Sequence, residues 1–286
     1  MAWAAEQITA SCTEHGEGPV WDAARGVLHW VDLLKGDVLS ISPEGGKPTR
    51  LHVGDVAACV VPRETGGLVV ATERGFSLVD EGAGIRSLGA LWADPGIRMN
   101  DGACDPQGRF YAGSMAYDES PGRGNLYRLD PSHDVTVVLT GVTVSNGLGW
   151  SPDGKTAYYI DSPTRRIDVL RFDPETGRFA NRRPLVAVPE GDGVPDGLSV
   201  DSEGGIWVAL WHGSALHRYL PDGSLDGTLS LPVSNPTSCA FGGVDLDTLF
   251  ITTSAQSVSL DVEPAAGALF SCRPGFSGQP IGTFLG

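Results

Sequence analysis

Four oxygen-bearing residues recur at the head of short apolar segments that run into a turn. They are Glu17 in "GEGPVWDAARG", Asn100 in "MNDGACDPQG", Asn146 in "SNGLGWSPDG" and Asp196 in "VPDGLSVDSEGG". Two further segments of the same cast put Ala57 and Thr237 in the corresponding place. Carboxylates and carboxamides gathered at one point repel one another and lack hydrogen-bond donors. A bound cation removes both difficulties. Two carboxylates with amide oxygens and waters form a hard-oxygen set suited to Ca²⁺, Mg²⁺ or Mn²⁺, with Zn²⁺ and Fe²⁺ also within its chemistry. Taken singly, Asn-Gly and Asp-Gly are ordinary turn dipeptides whose side chains bond their own backbone. The shared repeat position of Glu17, Asn146 and Asp196 is what favours a metal site.

Convergence of that kind needs a repeating scaffold. The segments "LHWVD", "GLVVAT", "RFYAGS", "AYYID", "IWVALW" and "LFITTS" are each followed by an alternating segment and a Pro or Gly turn. Their centres, Trp30, Val69, Tyr111, Tyr159, Trp207 and Phe250, lie 39, 42, 48, 48 and 43 residues apart. Alternating β-branched and aromatic residues read as half-buried strands, and a following proline cannot continue a central strand. Six all-strand units of about forty-five residues predict an all-β chain: a six-bladed β-propeller of four-stranded blades around a central channel, one domain over residues 1–286. The apolar segment before each centre becomes the innermost strand, with the slot residue at the channel mouth. The residues before Trp21 and the tail "PIGTFLG" are expected to share one blade and close the ring.

Composition narrows the partners. A formal net charge of −15 repels a phosphate backbone and excludes nucleic acid. Five cysteines without a C-x-x-C pair argue against a thiolate zinc site and for a reducing compartment. The opening "MAWAAEQITA" lacks the basic flank and apolar core of a signal peptide, and no run approaches the roughly 18 apolar residues of a membrane span. A cytoplasmic protein, monomeric or weakly self-associating and without a membrane partner, is expected. Asp32 and Asp161, which follow strand segments in corresponding units, read as turn formers. The six histidines show no H-E-x-x-H spacing; His212 reads as a loop residue after a strand end. Ser145 does not sit in a G-x-S-x-G elbow.

In order from Glu14 to Thr253, "GEGPVWD", "RMNDGACDPQGRFYAGSM", "VSNGLGWSPDGKTAYYIDSPTRRI", "PDGLSVDSEGGIWVALW" and "NPTSCAFGG" resemble the senescence-marker protein / gluconolactonase / regucalcin family. The resemblance implies a six-bladed propeller that hydrolyses sugar lactones with one divalent cation. It implies Glu17, Asn146 and Asp196 as metal ligands and Arg98 and Asn100 as substrate contacts. An acidic residue after "GSMA" is a further implied contact, matched here by Asp118 with Glu119 beside it. The chemistry implied is opening of an aldono-lactone ring to the aldonic acid, the cation acting as Lewis acid. Either Asp196 takes the proton of the attacking water or the cation lowers that water's pKa. Arg98, a fixed planar donor, and Asn100, both donor and acceptor, suit the orienting of the lactone. Two other readings share the scaffold. Hydrolysis of other esters or organophosphates is disfavoured by the absence of a histidine pair near the slots. A non-catalytic calcium-binding propeller stays open because fold alone does not settle function.

Overall fold

The computed structural model describes residues 3–43, 45–82 and 84–286. Among these, the strands form six sheets, as the repeat predicts. Each opens with an innermost strand: Gly16–Asp22, Ala57–Pro62, Ile97–Cys104, Ser145–Trp150, Val194–Val200 and Pro236–Gly242 for blades one to six. Successive strands then step outward, as in blade one through Val27–Asp32, Asp37–Ile41 and Thr49–His52. Each innermost strand packs against the next, and that of blade six against that of blade one, so the ring closes.

Burial follows radius. Ala57–Pro62 is buried at every position, because an innermost strand has neighbours on both faces, whereas Thr49–His52 is exposed throughout. The predicted centres Trp30, Val69, Tyr111, Tyr159, Trp207 and Phe250 all lie on second strands and are at most 3% exposed. They fill the space between sheets, where large apolar area contributes most. Outer edges carry charge instead, as in "RFANRRPLVA" of Arg178–Ala187, which discourages pairing with another chain. The described helices are three-residue 3₁₀ turns, and none is long and apolar enough to cross a membrane. All five cysteines are free.

Closure differs from expectation at the C-terminus. Glu6–Gln7 pairs with Phe270–Cys272 as the outermost strand of blade six, and Trp3–Ala4 adds a parallel fifth strand to blade five. With that edge occupied, the tail "PIGTFLG" crosses the underside of the ring. Gln279 Nε2 donates to the Trp150 and Val200 carbonyls at 3.0 and 3.1 Å. The Phe284 and Leu285 amides donate to Pro62 O and Gly108 O at 2.9 and 3.1 Å. Phe284 is wholly buried in the cluster that holds Val60, Val61, Phe110 and Leu129.

The channel mouth shows a second regularity. In every blade the pairing of the first two strands slips at the slot: between Glu17 and Val20, Ala57 and Cys59, Met99 and Gly102, Ser145 and Leu148, Pro195 and Leu198, and Pro236 and Ser238. Such a β-bulge re-aims a side chain out of the alternating pattern. Asn-Gly and Asp-Gly here are therefore strand bulges, not turns. The glycines answer to crowding: a Cβ on Gly147 would lie 2.8 Å from Asp196 O, and one on Gly197 would strike Ser238. The same register corrects one slot. Ala57 pairs with Thr72 as Pro236 pairs with Thr253, so the blade-two counterpart of Thr237 is Ala58.

Phe284→Ala is expected to lower the unfolding free energy by about 3 kcal/mol, because it leaves a cavity beneath blades two and three. Urea denaturation measures this; a loss below about 1 kcal/mol would show that the tail is not part of the core.

Candidate metal and substrate site

Four slot residues, Glu17, Asn100, Asn146 and Asp196, line one cleft of about 480 Å³ at the mouth, within the range of small-molecule sites. The other two do not. Ala58 has no polar atom to offer, and the Thr237 hydroxyl donates to Gly16 O at 2.6 Å. Arg98 reaches the same cleft from the start of its blade's innermost strand.

A relay of donors fixes the amides. Arg98 Nη1 donates to Asn100 Oδ1 at 2.7 Å and to Met99 O at 3.0 Å. Asn100 Nδ2 donates to Asn146 Oδ1 and to Ser145 O, both at 2.9 Å. Asn146 Nδ2 donates to Ser162 Oγ at 2.7 Å, and that hydroxyl donates to Pro195 O at 2.7 Å. The Ser162 proton is committed to Pro195, so Ser162 must accept from Asn146. This sets the carboxamide orientation and makes Asn146 Oδ1 the acceptor on the Asn100 side. Arg98 Nη2 has no hydrogen-bond partner among the described residues and stays available to a ligand.

The carboxylates are in a different state. Glu17 is 4% and Asp196 6% exposed. Among the described residues Glu17 accepts only the Gly18 N–H at 3.1 Å, with His15 Nε2 3.8 Å away. Among the described residues Asp196 takes no hydrogen bond and no ion pair. Burial pushes both carboxyl pKa values well up, and for Glu17 the negative charges of Asp196 and Asp101 push further. Asp101 lies deeper in the channel, raised by burial to about 6 although it accepts the Gly102 N–H at 2.7 Å. Buried carboxylates without partners are costly. A divalent ion beside Glu17 and Asp196 would relieve that cost, and the Asn146 carboxamide adds a neutral oxygen of the right hardness. The donor set fits such a cation. Among the described residues no three His, Cys, Asp or Glu side chains gather at metal-binding spacing; this set mixes two carboxylates with amide oxygens.

The third implied substrate contact falls elsewhere. Asp118 is exposed, accepts the Ser120 N–H at 3.0 Å and is absent from the cleft lining. Glu119, with a left-handed φ of 56°, is on the lining and interacts electrostatically with Arg98. The lining also holds residues that were not anticipated, among them His15, Trp211 and Gln256. His15 Nδ1 pairs with Ser254 Oγ at 2.9 Å, and its ring meets Trp211 edge-on at 5.6 Å. Burial, with Arg98 nearby, pulls its pKa down to about 3, so it is neutral. Its place two residues before Glu17 was the one available signal. His212 also lines the cleft, contrary to the reading of it as a plain loop residue.

The family described as "SMP-30/Gluconolactonase/LRE-like region" matches residues 15–255, a span that contains every slot. The chain is 35% identical over 276 residues to regucalcin of Xenopus laevis, covering 93% of this chain and 92% of that one. It is 38% identical over 282 residues to pentonolactonase XacC of Haloferax volcanii, covering 96% and 95%. A solved calcium-binding protein, regucalcin from Agrobacterium tumefaciens str. C58, superposes with a TM-score of 0.94 at 26% identity, covering 99% of this chain and 98% of that one.

The deep carboxylate makes the cation-free protein pH-sensitive. Asp101 titrates near 6 when folded and near 3.8 otherwise, so the folded state holds its proton longer. Stability of chelated protein therefore falls as pH rises through that window. Asp101→Asn should match the wild type at pH 4 and exceed it at pH 8 by on the order of 2–3 kcal/mol. Chemical denaturation in chelator at both pH values checks this; equal stability at pH 8 would place Asp101 in solvent.

Proposed function

The chain belongs to the SMP-30/gluconolactonase/LRE-like family, and from that premise we propose that it hydrolyses the ring ester of a sugar lactone, releasing the aldonic acid, with residues 1–286 acting as one propeller unit. The observation that carries the reading is the gathering at one mouth of two buried carboxyls, Glu17 and Asp196, with no Arg or Lys at ion-pair distance among the described residues, beside Arg98 and Asn100. The name of the Haloferax relative supports a lactone as substrate, and that of the Agrobacterium protein supports a divalent cation.

Glu17, Asn146 and Asp196 would hold the cation. Bound there, it supplies Lewis-acid stabilisation of the charge that develops on the lactone carbonyl oxygen, worth several kcal/mol. Arg98, anchored through Nη1, presents Nη2 to the lactone's oxygens, and Asn100 keeps the guanidinium in place. Glu119 lies on the same lining, interacts electrostatically with Arg98 and suits a sugar hydroxyl. Asp196 takes the proton of the attacking water as its oxygen bonds to the carbonyl carbon. The ring C–O bond then breaks, and the ring oxygen leaves as a hydroxyl that carries this proton.

Asp196→Ala is expected to abolish cation retention and to lower kcat/KM by about 10³-fold. Arg98→Ala is expected to raise KM about tenfold with a smaller effect on kcat, the mark of lost ground-state binding. Steady-state assays on glucono-, galactono-, xylono- and arabinono-lactones, with a phenyl ester and a phosphotriester as controls, read both effects. Full lactonase activity after exhaustive chelation would contradict the scheme. Tight calcium binding with no turnover across the lactones would leave a cation-binding propeller instead.

A further inference from the structure

Asp32 and Asp161 each precede a three-residue 3₁₀ turn, but neither side chain caps it. Each ends the second strand of its blade, and each is buried, at 2% and 5% exposure. Asp32 Oδ1 accepts the backbone amides of Glu14 and His15 at 3.1 and 3.0 Å. Those amides stand three and two residues before Glu17. Asp161 Oδ1 accepts the amides of Thr143 and Val144 at 3.2 and 2.9 Å, three and two residues before Asn146. The register is the same in both blades: Asp32 pairs with Gly16 and Asp161 with Ser145, each the residue ahead of the slot. The same place holds Thr72, Ser114, Leu210 and Thr253 in the remaining blades. Carboxylates thus occur there only in blades one and four, which face each other across the channel and deliver Glu17 and Asn146.

We propose that Asp32 and Asp161 are a matched pair of positioning residues, each clamping two successive amides of the loop that delivers a cation ligand and so setting the affinity of the site. The inference rests on the cation reading of the preceding section. Two successive amides caught by one buried carboxylate, the His15 amide buried and the other three partly so, restrict the loop's dihedrals. A ligand held in place loses less freedom when the ion binds, and partners one step behind a ligand typically govern affinity by 10–100-fold. The third ligand depends on the same device. Asp196 follows Pro195, whose carbonyl is held by Ser162, the neighbour of Asp161, and Ser162 also receives Asn146. One clamp in blade four therefore steadies two ligands, so Asp161 outweighs Asp32.

The test is calorimetric titration of chelated full-length protein with Ca²⁺ and, separately, Mn²⁺. Asp161→Leu, which installs the residue blade five carries in that place, should weaken binding at least about tenfold. Asp161→Asn, which keeps an oxygen for both amides, should stay within about threefold of wild type. Asp32→Leu should show the smaller loss of the two leucine variants. If Asp161→Leu does not fold, Asp161→Thr substitutes, with an expected loss between those of Asn and Leu. Wild-type affinity in the leucine or threonine variant overturns the proposal. So does an asparagine variant as weak as leucine, which would make the effect one of charge. Amide hydrogen exchange at Thr143 and Val144 should accelerate in Asp161→Leu and stay slow in Asp161→Asn. If wild-type protein takes up neither ion, the functional reading fails, and unaltered exchange in Asp161→Leu then sinks the clamp separately.

Discussion

The cost of burying three carboxyl groups near the ring axis shapes this molecule. Among the described residues no Arg or Lys lies at ion-pair distance from the buried carboxyls of Glu17 and Asp196, Asp101 adds a third carboxyl below them, and Arg98 is on the same cleft lining. A flexible chain would relax such a cluster by turning it outward. The propeller does not permit this, because each slot residue sits on an innermost strand wedged between two neighbours. The N-terminal strand in blade six and the C-terminal crossing beneath the ring add closure from both ends. Packing in the interblade cores offsets the cost of holding these carboxyls out of water.

The bulges translate that closure into chemistry. A regular strand alternates its side chains between the two faces of the blade, toward neighbouring blades and not toward the axis. One extra residue at the slot turns a side chain to the axis, and it does so in all six blades whether or not the residue is polar. Function then depends on which slots are filled with oxygen. Glu17, Asn100, Asn146 and Asp196 fill four; Ala58 and Thr237 leave the rest of the mouth to packing and to a bond with Gly16. The rest of the lining includes Arg98, Glu119, His15 and Trp211.

Much of this was legible because a repeat carries its own alignment. The aromatic centres marked the second strands, and Glu17, Asn146 and Asp196 stood out by recurring at one repeat position. Where no polar residue marked the bulge, the reading slipped by a residue, from Ala58 to Ala57. Asp118 was favoured over Glu119 by position in the string, but a left-handed residue turns the chain there, and side-chain direction does not follow from spacing. His15 and Trp211 meet only because ring closure brings the loop before blade one near the end of blade five's second strand at the channel mouth, a tertiary fact with no local trace. Asp32 and Asp161 look like turn residues for a physical reason: Asp bonds nearby amides in either setting. What sets these two apart is that the amides belong to a loop 17–18 residues earlier.

The most direct test of the central claim is anomalous diffraction from crystals of the protein equilibrated with Mn²⁺. The account predicts one strong peak at the channel mouth, with oxygens of Glu17, Asn146 and Asp196 each about 2.0–2.6 Å from it. A peak coordinated by other residues, or none within reach of all three at saturating ion, would contradict it.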